Sequence, residues 1–169
     1  PPSVPSGDTD VSSLLLTAWL PVYTALQNQK ENVSYHNLGE GISISMMKNE
    51  SEGTQLVLTA KQDVSSYELI GGDLKDDAGN VISKDDISIY HQKYITITKR
   101  ANAEMNPAFA VGDYIPDMLL DMDKAVEYKE NTIKSGENQS IYVEVETKSD
   151  TKAGTYKGDF TLKVDGAEV

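Results

Sequence analysis

Gln139-Ser-Ile-Tyr-Val-Glu-Val-Glu-Thr147 and Thr155-Tyr-Lys-Gly-Asp-Phe-Thr-Leu-Lys-Val164 are the two stretches whose reading decides the fold. In the first, Ile141, Val143 and Val145 point to one side and Tyr142, Glu144 and Glu146 to the other, the two-residue period of a half-buried strand. In the second, Phe160, Leu162 and Val164 alternate with Thr161 and Lys163 in the same way. Between them, Lys148-Ser-Asp-Thr-Lys-Ala-Gly154 has no apolar face to bury, and Gly154 tolerates a positive φ, so this segment reads as a connection. The two strands are expected to be antiparallel neighbours.

Working outward, the size and composition narrow the class. A chain of 169 residues is long enough for one domain with its own core, burying roughly 70% of its unfolded surface. The hydrophobic residues, 38% of the chain, with 12 glycines added, lie in the ordinary globular range. Asp and Glu number 27 against 15 Lys and Arg, a formal charge of −12, so the mean field repels phosphate backbones and anionic headgroups. Nucleic acid and membrane surfaces are therefore poor partners. The absence of cysteine excludes disulfides, thiolate metal sites and a cysteine nucleophile. The longest apolar run, residues 14–20, is far short of the roughly 20 residues of a membrane span, so no membrane insertion is expected.

Residues 1–10 hold three prolines and little to bury, the composition of a linker, leaving 11–169 as one module. The apolar density over residues 11–23 suggests a first strand ended near Pro21; Leu15, Trp19 and Val22 also fit a helical face, but Pro, Ser and Asp on the flanks favour the strand. Residues 24–41 read as a polar loop. Ile42, Ile44 and Met46 alternate with serines, a short strand expected to form a hairpin with, or to neighbour across sheets, a second one over 54–60, where Leu56, Leu58 and Ala60 share a face. A further strand is expected within 64–74, closed by the turn Asp76-Asp-Ala-Gly-Asn80. Ile87-Ser-Ile-Tyr90 and Tyr94-Ile-Thr-Ile-Thr98 alternate cleanly and form one long strand or two. Residues 101–112 look irregular, and 116–126 are ambiguous, with Met118, Leu119, Met122, Ala125 and Val126 fitting the face of a possible short helix. Seven to eight strands with no long helices between them predict an all-β, immunoglobulin-like antiparallel β-sandwich.

Little in the chain points to catalysis. His36 and His91 have no partner at metal-ligand spacing, and His91 reads as a satisfied or exposed strand residue. Asp73, Asp76, Asp77 and Asn80 lack the alternating spacing and terminal glutamate of a calcium loop, which leaves a hairpin turn. Asp117, Asp121 and Asp123 are the only carboxylates grouped in a way that suggests glycosidase chemistry, in a chain where carboxylates are abundant. No metal, no cofactor and no catalytic residue are assigned. Asn32, Asn49 and Asn138 match the glycosylation pattern. The nine tyrosines, against two phenylalanines and one tryptophan, carry the one binding hypothesis. An outward tyrosine can lay its ring on the apolar patch of a pyranose, and Tyr142, out of phase with Ile141 and Val143, is the candidate carbohydrate-binding residue.

Ala153-Gly-Thr-Tyr-Lys-Gly-Asp-Phe-Thr-Leu162, preceded by Asn138-Gln-Ser-Ile-Tyr-Val143, resembles the closing strands of the N-terminal β-sandwich that precedes the catalytic barrel in bacterial proteins of the glycoside hydrolase family 123 type and their relatives. The resemblance continues upstream through Lys48-Asn-Glu-Ser-Glu-Gly-Thr-Gln-Leu-Val-Leu58, Gly72-Asp-Leu-Lys-Asp-Asp-Ala-Gly79, Gln92-Lys-Tyr-Ile-Thr96 and Gly112-Asp-Tyr-Ile-Pro-Asp-Met-Leu-Leu120. It implies an extended segment around Pro116, although Met118 stands where such proteins usually carry a second proline. The catalytic Asp–Glu pair of those hydrolases lies in the barrel, so no active-site residue carries over. The resemblance implies a non-enzymatic structural or docking module of a secreted or surface glycoside hydrolase-like protein, partnered by a C-terminal barrel of the same polypeptide. The alternative is a module that holds glycan itself through exposed tyrosines.

Overall fold

The computed structural model describes the backbone of residues 15–20 and the whole of residues 41, 43–98 and 111–169. Among them lie ten strands: β1 (Leu15–Leu20), β2 (Ser51–Ala60), β3 (Tyr67–Gly71), β4 (Leu74–Lys75), β5 (Val81–Ile82), β6 (Ile87–Thr96), β7 (Tyr114–Asp121), β8 (Asn138–Glu146), β9 (Phe160–Val164) and β10 (Ala167–Glu168). Seven have five residues or more and three have two, against the seven to eight strands expected. One short helix, α1 (Met122–Glu127), follows β7. All strand pairs are antiparallel, so the domain is all-β as the alternation predicts. They form a five-stranded sheet in the order β1-β2-β8-β6-β7, a three-stranded sheet β10-β9-β3, and the small β4-β5 hairpin.

Register explains the core. Side chains opposite one another on antiparallel strands share a face. Leu56 pairs with Ile141, His91 with Ile141, Ile89 with Val143 and Ile87 with Val145, so one face of the larger sheet is an apolar surface contributed by β2, β8 and β6. Across from it, Tyr67 pairs with Val164 and Leu69 with Leu162. The two surfaces form a single cluster, in which Leu58, Ile141, Val143 and Val164 are at most 1% exposed. Met122 of α1 and the bridge between Val64 and Ile133 close its margin. Each fully buried aliphatic side chain contributes roughly 1.5–3 kcal/mol relative to exposure.

Several expectations are corrected. The strands over 139–147 and 155–164 are not neighbours: β8 lies between β2 and β6 in one sheet, and β9 between β3 and β10 in the other. The connection carries the chain from sheet to sheet, and at Gly158 a Cβ would lie 2.6 Å from Leu74 Cδ2 and 2.7 Å from the Asp73 carbonyl oxygen. Alternation marks which residues face the core, and that face is the same whether the next strand lies beside or across. No strand forms over 43–46, and β2 begins instead at Ser51 after the turn at Lys48 and Asn49. Residues 43–46 therefore form neither a hairpin with 54–60 nor a strand across from it, and β2 has β1 and β8 as its neighbours. Residues 87–96 are one strand, with a bulge between Lys93 and Tyr94. The ambiguous 116–126 segment is both things in turn, extended through Asp121 and helical from Met122. Val11–Leu14, the expected linker 1–10, the loop 24–40 and most of 101–112 fall outside the described residues.

Truncating Ile141, fully buried at the centre of β8, is expected to cost about 2–5 kcal/mol, whereas Val126→Ala on the exposed side of α1 stays within about 1 kcal/mol. Urea midpoints of the two variants measure the difference.

Candidate functional site

The other face of the five-stranded sheet follows from the same register. Thr59, Val57, Gln55 and Gly53 of β2 share it with Asn138, Ser140, Tyr142 and Glu144 of β8 and with Ser88, Tyr90, Gln92 and Tyr94 of β6. An outward sheet face is ordinarily wet, yet one end of this one is closed: Val57 and Ser140 are 0% exposed, and Gln55 and Asn138 1%. Its polar groups are paired, as burial requires. Gln55 donates from Nε2 to Gln92 Oε1 (2.8 Å), the Thr59 hydroxyl donates to Asn138 Oδ1 (2.6 Å), and the Tyr94 hydroxyl meets Ser140 Oγ at 3.2 Å. Burial pushes the Tyr94 hydroxyl well above the ordinary phenol range. Asn138, one of the glycosylation matches, is thereby locked in the interior and inaccessible to a glycosyl transfer.

Burial relaxes one row further along. Gln55, Tyr142, Tyr90 and Asp121 are successive cross-strand partners on β2, β8, β6 and β7. Tyr142 and Tyr90 are both half-buried, their ring centroids 6.3 Å apart and tilted by 36°. Tyr142 leans across onto β2, where Gly53 lacks the side chain that would block it: a Cβ on Gly53 would lie 2.0 Å from the Tyr142 hydroxyl oxygen and 2.3 Å from Cζ. Partial burial, then the nearby Glu144 and Glu52 carboxylates and Tyr90, raise the Tyr142 hydroxyl above its ordinary value. Tyr142 is thus outward, as the alternation predicts. Tyr90, which the sequence reading did not single out, sits beside it; the signal was present in Ile87-Ser-Ile-Tyr90, whose alternation sets Tyr90 opposite Ile87 and Ile89.

His91 lies on the core side, 4% exposed, with its Nδ1 hydrogen-bonded to the hydroxyl of Tyr67 across the two sheets. Its ring is stacked against that of Tyr67 at 6.1 Å between centroids. Burial lowers the His91 pKa from 6.5, opposed by Glu130 and reinforced by Lys93, which are themselves ion-paired at 2.9 Å on the surface. Burial likewise raises the Tyr67 hydroxyl. His91 is a satisfied core residue that ties β3 to β6.

The remaining candidates are dispersed. Asp117 and Asp121 are exposed on β7 and Asp123 is exposed on α1. In the 76–80 turn, Asp76 accepts hydrogen bonds from the Ala78 and Asn80 backbone amides and from Asn80 Nδ2 (2.7–2.9 Å), while Asp73 accepts from the Lys84 amide, so these carboxylates build the hairpin. Among the described residues no group of three or more His, Asp or Glu is arranged to hold a metal, and no helix is long and apolar enough to cross a membrane. His36 and Asn32 lie outside the described residues.

Antiparallel sheets around one core define an all-β module. Residues 24–164 match the glycoside hydrolase 123 N-terminal domain, and the chain belongs to that family, whose domain is non-catalytic. Among solved structures, a family 123 glycoside hydrolase from Clostridium perfringens, whose structural analysis concerned glycolipid glycan hydrolysis, is similar at a TM-score of 0.55 and 18% identity. The alignment covers 71% of this chain and 19% of that one, so the chain spans about a fifth of that enzyme's length. A family 3a carbohydrate-binding module from the cipA scaffolding of Clostridium thermocellum aligns at a TM-score of only 0.24 and 12% identity, covering 92% of this chain and 98% of that one, and carries no structural weight. No match was found among curated proteins.

Because the folded His91 pKa lies below its unfolded value, the unfolded chain binds more protons and stability rises with pH through this window. The contribution is complete above about pH 6.5 and is lost as the pH falls below it. Chemical denaturation at about pH 5 and pH 7.5 is expected to show wild type weakened at the acid value, and His91→Gln, which cannot titrate, less so.

Proposed function

We propose that this chain is an immunoglobulin-like β-sandwich that serves as the N-terminal accessory, structural or docking module of a secreted or surface-attached glycoside hydrolase-like protein, with a catalytic barrel following it in the same polypeptide. The observation that carries this reading is the family match over residues 24–164, and the alignment to only 19% of the C. perfringens enzyme supports it. A sandwich suits the role physically. Its two sheets share one core, while the Tyr90–Tyr142 end of the outer face of the larger sheet stays half-exposed for contact. The acidic surface, −12 overall, keeps such a module soluble outside the cell.

Two proteins test it: the 169-residue chain alone, and the same chain joined to its following domain. The first is expected to release no chromophore from aryl glycosides, the second to do so, and removal of the module to lower the melting temperature of the remainder. Hydrolysis by the isolated chain that survives repurification contradicts the reading.

A second reading is direct contact with glycan through exposed tyrosine. What favours it is Tyr142, half-exposed and alongside Tyr90. If it holds, the isolated chain binds on a glycan array and Tyr142→Ala removes that binding; if the array stays blank, the role is purely structural.

A further inference from the structure

Three tyrosines packed against the sheets have partners for their hydroxyls: Tyr67 has His91, Tyr94 has Ser140, and Tyr156 donates to the Lys152 carbonyl oxygen at 2.9 Å. Tyr90 and Tyr142 do not, among the described residues, although their rings lie side by side. They stand in one cross-strand row at the point where the closed part of the face ends. Gly53, beneath the phenol of Tyr142, is the position that lets this ring reach across from β8 to β2. Around the pair the register sets acceptors: Asp121 opposite Tyr90, and Glu144 one row along, opposite both Gly53 and Ser88. None of the described strand residues sharing this face is Lys or Arg.

Resting on the second reading above, we propose that Tyr90 and Tyr142 form one saccharide subsite, seated over Gly53 and edged by Glu144 and Asp121, that takes uncharged sugars and rejects acidic ones. Two adjacent rings offer an apolar surface to the C–H face of a pyranose. Their unpartnered hydroxyls donate to ring or glycosidic oxygens, and the carboxylates accept from sugar hydroxyls, charge-assisted bonds stronger than neutral ones. A sialic or uronic acid brought to the same place meets carboxylates of like sign with no cation between them. The pair is also a site that tolerates no bulk beneath it, because a methyl at Gly53 would occupy the volume of the Tyr142 phenol.

The test uses the full chain, panels of neutral and of sialylated or uronic oligosaccharides, and calorimetric titration of whichever binds, with thermal melts to verify folding. Wild type is expected to bind neutral sugars only. Tyr90→Ala and Tyr142→Ala should each weaken binding about tenfold. Tyr90→Phe and Tyr142→Phe, which keep the rings, should show intermediate losses. Gly53→Ala should weaken binding with both tyrosines still present, and Glu144→Gln combined with Asp121→Asn should admit acidic sugars. If neutral sugars bind but Tyr90→Ala has no effect, the paired subsite is wrong while direct glycan contact stands. If no sugar binds, or a Lys- and Arg-rich peptide binds at these tyrosines instead, the glycan reading and the subsite fall together.

Discussion

The domain depends on one strand, β8, being apolar on a single side and central in its sheet. Ile141, Val143 and Val145 meet β2 and β6 on either hand and Leu69, Leu162 and Val164 across the core. Every backbone group of a central strand has a neighbour on both sides, so β8 contributes ladder bonds and core area together. Because a one-residue slip would turn all three inward residues to the outer face, this burial also fixes the register. The placement of Tyr142 follows: the outer face of β8 is set by what its inner face must bury.

The face that results has two regimes. At the Asn138 end, amides and hydroxyls are buried and pair with one another, a polar layer that is stable only because its members have partners. At the Glu144 end, side chains become half-exposed and the two tyrosine rings lie side by side without such partners among the described residues. The contrast gathers the half-exposed aromatic side chains at the second end.

Much of this was legible in the chain. Period-two alternation picked out the inward residues of β2, β8 and β9, and the outward direction of Tyr142, because sheet pleat and side-chain direction are locally encoded. The Asp76 turn was legible for the same local reason, its carboxylate bonding within four residues of itself. Which strand lies beside which was not. β8 and β9 read as neighbours although they belong to different sheets, since an apolar residue facing the core carries the same signature in either place. Ile44 and Met46 alternate without forming a ladder, because alternation supplies a face but not a partner strand. Likewise, the contact of His91 with Tyr67 joins residues 24 positions apart in different sheets, and no spacing rule predicts it. The acidic triad at 117, 121 and 123 lost its grouping when the segment changed from strand to helix between its members.

The central position of β8 is tested most directly by nuclear Overhauser contacts between backbone protons. Contacts from residues 139–146 are predicted to run to 51–58 of β2 on one side and 87–91 of β6 on the other, in the register that pairs Ile141 with both Leu56 and His91. Backbone contacts pairing β8 with residues 160–164 instead would contradict the account, because the two sheets, the core between them and the outer tyrosine row would all have to be redrawn.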